Sequence, residues 1–287
     1  MKSTRIFARI ASSLLCLALF ASASFAAKAN PLNIPLGLAV DAKGNLWVAN
    51  QGDQNVVAFS PTYKQLTADT ITQGLSYPNG VAFDTLGDLW VSNNFYPGVP
   101  ASYISEYTNS VQNLAATISD GISQPTALAI DGLNNIWVVN ANNGNPNIGV
   151  YAVTTVYNEP TTLVRTITPI APVTGITVTG DVVAFGSNGN TYVTPATPAL
   201  ISGAVDTTFY PGYTVAALTT AGGIQYAADT NGAVYTLVNT IATFLFETPF
   251  TPAGLAVDSV RGRIYVSNGF NAVYVYNMGG ELLHTIN

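Results

Sequence analysis

Short apolar strands joined by polar turns recur along this chain. The segment PNGVAFDTLGDLWVSN (78–93) contains an apolar run, an Asp-x-x-Gly turn and a second apolar run that ends in Asn. Three further segments follow the same pattern, at residues 35–50, 125–140 and 252–268. Two degenerate copies occupy residues 174–190 and 213–232. The pattern therefore predicts repeat units that begin near residues 35, 78, 125, 174, 213 and 252.

Each unit is predicted to contain four strands. In the first unit these are Gly37–Val40, Asn45–Ala49, Val56–Ser60 and the region around Thr67–Ile71. The turn Asp can accept hydrogen bonds from backbone N–H groups ahead of it, and the turn Gly can adopt a positive φ. No segment has a sustained helical period. The sequence therefore predicts an all-β fold, a six-bladed β-propeller with four antiparallel strands per blade.

The two ends of the predicted propeller determine how the ring closes. The last unit contains a fourth strand of its own, ELLHTI (281–286), and few residues precede Pro35 in the folded domain. We therefore expect closure by packing of the first blade on the last, with a short extended contribution from Leu32–Ile34.

The first 26 residues have the features of a secretory signal peptide. A basic start precedes an apolar run from Ile10 to Phe20, and small residues follow it. We predict cleavage after Ala26, with Ala23 as the alternative, and a propeller domain over residues 27–287. The single cysteine, Cys16, lies within this segment. The predicted location is secreted or periplasmic.

The charge balance excludes one class of partner. The mature chain would keep six of the nine basic residues and all fifteen acidic ones, so its net charge is 6 − 15 = −9. An acidic chain without a basic cluster is a poor nucleic-acid ligand. No other apolar stretch is long enough to cross a membrane. The remaining partner classes are a polar ligand, a glycan or a protein.

The repeat resembles the NHL-repeat propeller family. The resemblance rests on the pattern G-[LV]-A-[VF]-D-x-x-G-[ND]-[LI]-[WY]-V-[AS]-N and extends over residues 35–287. Its relatives include lactone hydrolases of the senescence-marker/gluconolactonase type, streptogramin lyases and secreted bacterial proteins of unassigned role. The resemblance therefore implies the fold and leaves catalysis open.

Asn79 is the position at which the resemblance suggests a metal. In the lactonases a divalent cation lies in the central channel, and the Asn of a Pro-Asn-Gly unit is one ligand. Asn79 matches it, but the equivalent positions in the other units hold Leu36, Thr126, Thr174, Thr214 and Ala253. Hard cations require several oxygen ligands. We therefore predict no metal site and no cofactor, with a divalent cation such as Ca²⁺ on Asn79 as the alternative.

Catalytic constellations that need a histidine are not predicted. The lyases use a His in acid–base chemistry, whereas the only His of this chain, His284, lies in the predicted last outer strand. Ser-His-Asp and Cys-His arrangements fail for the same reason. No catalytic residue is predicted.

Asparagines and aromatic residues recur at fixed points of the unit. The second strand ends in Asn50, Asn93, Asn140 and Asn268, with Gly186 and Asp229 at this point in the degenerate units. Capping of the strand is the favoured role of these residues, although a ring of ligands would have the same pattern. The aromatic residues of the second strand, such as Trp47, are expected to pack between blades.

The loops between second and third strands differ among units, and they share one end of the propeller with the starts of the first strands. We call this end the loop face. Aromatic and carboxamide side chains there suit a neutral polar partner. The candidate binding residues are Asn50, Asn79, Asn93, Phe95, Tyr96, Asn140, Asn142, Asn143, Asp229 and Asn268. The predicted function is an exported, non-catalytic binding or scaffold module. The alternative is a divergent lactonase-like or lyase-like enzyme with a metal in the channel.

Overall fold

Antiparallel strands form nearly all of the regular structure in a computed structural model of the chain. It describes residues 30–94, 102–108, 113–141, 147–152, 162–167, 173–179, 182–187, 190–195, 215–238 and 241–287. Sheet 1 contains β1 (Pro35–Val40), β2 (Leu46–Asn50) and β3 (Asn55–Phe59). Sheet 2 contains β4 (Pro78–Phe83), β5 (Leu89–Asn93), β6 (Tyr103–Tyr107) and β7 (Leu114–Ile118).

The later sheets follow in the same chain order. Sheet 3 contains β8 (Pro125–Ile130), β9 (Ile136–Asn140), β10 (Asn147–Ala152) and β11 (Thr162–Ile167). Sheet 4 contains β12 (Val173–Thr179), β13 (Val182–Ser187) and β14 (Asn190–Pro195). Sheet 5 contains β15 (Val215–Ala221), β16 (Ile224–Asp229), β17 (Ala233–Val238) and β18 (Ile241–Glu247). Sheet 6 contains β19 (Gly254–Asp258), β20 (Arg263–Ser267), β21 (Val273–Asn277) and β22 (Leu282–Ile286).

The sheets are arranged as a propeller. Strands that are consecutive in sequence are hydrogen-bonded neighbours within each sheet. The first strands contact one another in the order β1, β4, β8, β12, β15 and β19, and β19 contacts β1. These strands surround a central channel. Within the described part of the chain, no helix is long and apolar enough to span a bilayer.

The predicted propeller of six blades with four strands in every blade is wrong. The described strands form sheets of three or four strands, and sheets 1 and 4 have three each. In sheet 1 the predicted fourth strand, Thr67–Ile71, begins with a 3₁₀ helix at Thr67–Asp69, and only Ile71 forms a bridge to β3. The polar sequence Thr-Ala-Asp has no alternation of apolar residues, so a tight turn replaces ladder pairing.

The Asp turns have the hydrogen bonds expected from the sequence. In the first unit, Asp41 Oδ1 accepts bonds from Lys43 N and Asn45 N, at 2.9 and 2.8 Å. Gly44 has φ 83°, which is the left-handed conformation that glycine adopts readily. In the third unit Asn134 takes this position with φ 63°, because Asn is the residue that best replaces Gly there. The turns define the end of the propeller opposite the loop face, which we call the hairpin face.

Aromatic residues of the second strands pack between neighbouring sheets, as expected. Trp47 lies in one apolar cluster with Val56 of its own sheet and with Val81 and Leu89 of sheet 2. Its indole Nε1 donates to Asp41 Oδ2 at 3.1 Å, so the turn carboxylate holds the ring. The equivalent aromatic residues on the other described second strands are also buried: Trp90, Trp137, Tyr226 and Tyr265.

The glycine that begins the repeat pattern allows close approach of neighbouring sheets. A Cβ on Gly254 would lie 2.0 Å from Leu36 O, and one on Gly37 would lie 2.4 Å from Asn79 O. Both contacts are far below van der Waals distance, and both are with backbone of the next sheet around the ring. This proximity explains why the pattern has glycine where strands usually disfavour it.

The ring closes by contact between sheets 6 and 1 without exchange of a strand. Ile34 N donates to Phe270 O at 2.8 Å, and Asn30 Nδ2 donates to Asn271 O at 2.8 Å. Leu32 is buried in a cluster that contains residues of both sheets. On the hairpin face, Arg261 Nη2 donates to Lys43 O at 3.0 Å. The segment Leu32–Ile34 contributes to closure, but it is bent and not extended as predicted, because Ile34 has φ 54°.

Candidate functional site

The register of the sheets places the starts of the first strands and the ends of the second strands on one face. Pro35 pairs with Asn50, and Pro78 pairs with Asn93. Pro125 pairs with Asn140 in the same way. The loops that follow the second strands therefore surround the mouth of the channel on the loop face.

The mouth of the channel on this face contains a cavity of ≈ 230 Å³. Small and aliphatic residues of the first strands provide most of its lining, including Leu36, Ala253, Ala216 and Leu218, together with Asn79 and Thr126. A second cavity of ≈ 210 Å³ lies toward the hairpin face, and the two share lining residues such as Leu38 and Val81. Among the described residues, no carboxylate or histidine lines either cavity.

The carboxamide of Asn79 connects three sheets. Gln51 Nε2 donates to Asn79 Oδ1 at 2.5 Å, and Asn79 Nδ2 donates to Pro125 O at 3.1 Å. The Asn79 residue is only 8% exposed. Its oxygen, the atom that would bind a cation, thus already accepts a hydrogen bond from the neighbouring sheet.

The residues at the channel mouth do not fit a divalent cation. The positions equivalent to Asn79 hold Leu36, Thr126 and Ala253, and only the threonine has a side-chain oxygen. Thr126 Oγ1 lies 3.5 Å from Val139 O of its own sheet. No cluster of three or more His, Cys, Asp or Glu suited to a metal occurs in the described part of the chain. The side chain of Thr174 and the whole of Thr214 lie outside the described residues. The pairing of Val215 with Asp229 makes Ala216, and not Thr214 as predicted, the residue equivalent to Asn79 in sheet 5.

Asn50, Asn93 and Asn140 share one structural role. Each is fully buried. The Oδ1 atom of each accepts a bond from the backbone N–H seventeen residues earlier, in the segment that leads into the same sheet. The Nδ2 atom of each donates to a side chain of the third strand. These asparagines hold the incoming segment and the third strand together. The predicted role was a strand cap that also bonds the following loop, and the bond to the incoming segment was not predicted.

Asp229 and Asn268 have local roles in the loops that follow them. Asp229 is buried, and its carboxylate accepts bonds from Asn231 N, Ala233 N and the Tyr235 hydroxyl. Asn268 Oδ1 accepts three backbone bonds from residues 270, 271 and 272. Both side chains therefore stabilise loop conformation.

The remaining predicted binding residues, Phe95, Tyr96, Asn142 and Asn143, lie outside the described residues. The structure adds one residue that the sequence reasoning missed. Phe270, in the loop after β20, is 70% exposed on the loop face. The signal was present in the sequence, because SNGFNA places an aromatic residue in the loop equivalent to that of Phe95.

His284 lies on the outer edge of sheet 6, away from the channel. It lies in β22 and pairs with Val275 of β21, and its ring stacks on Tyr63 with centroids 4.4 Å apart. The Arg263 guanidinium lies 5.0 Å from the centre of the Tyr63 ring. The histidine therefore contributes to the contact between sheets 6 and 1.

One carboxyl group of sheet 2, that of Glu106, has a raised pKa. Burial, together with the nearby carboxylates of Asp88 and Asp84, raises the pKa of Glu106 to about 7. Glu106 pairs with Trp90 across the strands β5 and β6. Asp88 is buried and replaces the Asn found at this turn position in the first and third units. The group lies near the hairpin turn of sheet 2, away from the residues that line the channel mouth.

The shifted pKa of Glu106 predicts a stability gain from Glu106→Gln that depends on pH. The folded state holds this proton more tightly than the unfolded chain, so stability falls as pH rises from about 4.5 to about 7 and then levels. Since the group is partly solvated, we expect the variant to be more stable by about 1 kcal/mol at pH 8 and unchanged at pH 4. Urea unfolding at the two pH values measures this difference. Glu247→Gln, at an exposed glutamate, is the control, and a gain that is equal at both pH values would contradict the assignment.

Comparison with known proteins supports the fold. No family model matches the chain, and no curated protein matches it in sequence. Among solved structures, it is similar to a streptogramin B lyase, with 13% identity, TM-score 0.61, and coverage of 90% of this chain and 84% of that chain. It is similar to a gluconolactonase from Xanthomonas campestris, with 15% identity, TM-score 0.62 and 86% of each chain covered.

A third similar structure comes from a protein complex. A chain of a mitotic checkpoint complex matches with 12% identity, TM-score 0.58, and coverage of 89% of this chain and 80% of that chain. At these identities the likeness shows the β-propeller fold, and the fold alone does not select a function.

Proposed function

We propose that this protein is an exported, non-catalytic binding or scaffold module of the NHL-repeat type. Its partner would be a polar ligand, a glycan or a protein, bound by the loop face. The observation that carries the proposal is the chemistry of the channel mouth. Aliphatic and small residues line most of it, and Asn79, whose carboxamide is the alternative cation ligand, is hydrogen-bonded to Gln51 and Pro125.

The loop face supports recognition of a neutral partner. Thr126 is exposed there, and Phe270 is 70% exposed. An exposed aromatic residue among hydroxyl and carboxamide groups suits stacking on a sugar or contact with a peptide. The predicted leader at residues 1–26 supports a secreted or periplasmic location for such a module. The proposal requires no cofactor.

A glycan and peptide array tests the binding function. The chain from residue 27 would be compared with Phe270→Ser and with a variant whose 93–102 loop is shortened to the length of the 50–55 loop. We expect wild-type binding to one array class and at least a fivefold loss in both loop-face variants. Leu133→Asn, on the hairpin face, is the matched control. Absence of binding on both arrays, or an equal loss in the control, would refute the proposal.

The second candidate is a divergent hydrolase or lyase that uses Asn79 and a divalent cation such as Ca²⁺. It is favoured by the place of Asn79 at the channel mouth and by the likeness to a lyase and a gluconolactonase. A panel of lactones and streptogramin-type substrates with added Ca²⁺ separates the two candidates. Turnover that Asn79→Ala abolishes would establish the enzyme. No turnover, together with no Ca²⁺ retained after dialysis, favours the binding module.

A further inference from the structure

The edges of the first strands line the cavity at the channel mouth. In five sheets, three consecutive residues of the first strand contact it, for example Leu36, Gly37 and Leu38 of β1. Because successive side chains of a strand point to opposite faces of the sheet, a run of three lining residues means that the backbone edge itself faces the cavity. Each first strand is also the terminal strand of its sheet. The cavity is therefore lined by backbone N–H and C=O groups as well as by side chains.

The backbone groups of these edges need hydrogen-bond partners inside the channel. Within the described residues, no strand of one sheet pairs with a strand of another, so each first strand has a ladder on one side only. At the mouth, side chains of neighbouring sheets bind two of the carbonyl groups. Ser267 Oγ donates to Leu36 O at 2.8 Å, and Asn79 Nδ2 donates to Pro125 O at 3.1 Å. Since burial of an unpaired backbone group is costly, a ligand in the channel must replace water with donors and acceptors of its own, which an aliphatic molecule does not have.

Polar side chains lie on the side of the mouth formed by sheets 2 and 3. The bonds from Gln51 Nε2 to Asn79 Oδ1 and from Asn79 Nδ2 to Pro125 O fix two carboxamides there, and these bonds use one of the two N–H groups of each. Thr126 is exposed, and its Oγ1 lies 3.5 Å from Val139 O, beyond the usual length of a hydrogen bond between oxygens. The Thr126 hydroxyl is thus able both to donate to a ligand and to accept from it.

The side of the mouth formed by sheets 5, 6 and 1 is apolar. The residues equivalent to Asn79 in these sheets are aliphatic: Ala216, Ala253 and Leu36. The loop that carries Phe270 lies beside them, since a Cβ on Gly269 would lie 2.9 Å from Ala253 Cβ and 4.0 Å from Leu36 Cδ2. Among the described residues that line the cavity, none has an ionisable side chain. The mouth thus has one polar side, one apolar side and no charge.

We propose that the channel mouth binds one neutral sugar unit of a saccharide. A sugar ring has hydroxyl groups, each both a donor and an acceptor, and an apolar face of C–H groups. The hydroxyls would bond to Thr126, to the carboxamide N–H groups of Asn79 and Gln51 and to the strand edges. The C–H face would lie against Leu36 and Ala253. This inference rests on the proposed function, because it names the ligand class of the loop face.

The size and charge of the cavity restrict the saccharide further. Its volume of ≈ 230 Å³ is below the range of about 300–1,000 Å³ that is typical of sites for drug-sized ligands, so it would hold a single ring. The rest of a longer glycan would extend over the loop face. An acidic sugar would lose hydration without gaining a cation. A folded protein would cover the mouth without reaching the strand edges inside it, so the geometry favours a sugar over a protein.

A glycan array with matched end groups tests the proposal. The chain from residue 27 would be applied to glycans that end in a neutral hexose and to the same glycans capped with sialic acid, beside a peptide array. We expect binding to the neutral set, and at least a fivefold loss in Thr126→Val, which removes the hydroxyl and keeps the shape of the side chain. Thr126→Ser should restore binding. Ala216→Leu, which fills the apolar side, should weaken binding by a similar factor, whereas Leu133→Asn, on the hairpin face, should bind as the wild type does.

The outcomes separate this inference from the proposed function. Binding to peptides alone would leave the binding module intact and overturn the sugar site. Glycan binding that Phe270→Ser removes, and that Thr126→Val and Ala216→Leu leave unchanged, would place the saccharide on the loops and overturn the site in the channel mouth. A preference for the capped glycans would overturn the neutral class. Absence of binding on both arrays would refute the sugar site and the binding module together.

Discussion

Replacing Trp90 with alanine should lower the free energy of unfolding by about 4 kcal/mol. Trp90 is fully buried, and it lies in one apolar cluster with Ile104 of its own sheet and with Leu128 and Ile136 of sheet 3. Its indole Nε1 also donates to Asp84 Oδ2 at 3.1 Å. The substitution would therefore open a cavity between two sheets and leave the turn carboxylate without one of its donors.

Urea unfolding followed by circular dichroism measures this effect without relying on tryptophan fluorescence. Trp90→Phe keeps an aromatic ring in the cavity and removes the Nε1–H bond, so it should cost less, about 1–2 kcal/mol. Phe270→Ala, at an exposed position, is the control and should change stability by less than about 0.5 kcal/mol. A loss below 1 kcal/mol for Trp90→Ala, on the order of a surface substitution, would contradict the inter-sheet role.

The parts of the fold that the sequence predicted are those fixed by local chemistry. The Asp turns need a carboxylate that accepts bonds from backbone N–H groups and a residue that tolerates positive φ. Both residues can be identified in the sequence, at Asp41 and Gly44. The second strands are recognisable as short apolar runs, and every residue of Leu46–Asn50, Leu89–Asn93 and Ile136–Asn140 is buried. By contrast, Thr67–Ile71 is an outer segment with little burial to select its register, and a 3₁₀ turn formed there instead of a strand.

The candidate site was less predictable because the roles of its residues depend on contacts between sheets. The sequence showed that Asn79 has no companions at the equivalent positions, but it could not show that Gln51 and Pro125 occupy its carboxamide. The raised pKa of Glu106 likewise depends first on its burial in the folded sheet and then on the neighbouring Asp88 carboxylate. A signal existed in the sequence, since Asp88 stands where the first and third units have Asn.

Replacing Asn93 with alanine should lower the free energy of unfolding by about 3 kcal/mol. Asn93 Oδ1 accepts a bond from Ser76 N at 2.9 Å, and Nδ2 donates to Ser105 Oγ at 2.9 Å and to Val91 O at 3.2 Å. Alanine would leave the buried Ser76 N–H without this acceptor, and water has little access because the site is fully buried. An unsatisfied buried group costs more than the bond itself contributes, so the loss should exceed that of one surface hydrogen bond.

Two companion variants separate a structural role of Asn93 from a ligand-binding one. Asn93→Asp retains an acceptor but cannot donate to Val91 O, and it buries a charge, so it should be at least as destabilising as alanine at pH 7. Asn268→Ala removes three backbone bonds in a loop that water can reach, and it should cost less than about 1 kcal/mol. Equilibrium unfolding in urea ranks the three variants by their free energy of unfolding. Asn93 joins the segment before β4 to the third strand of the same sheet. Its loss should therefore lower the free energy of unfolding even when no ligand is bound. Unchanged stability with lost array binding would instead place Asn93 in the binding site.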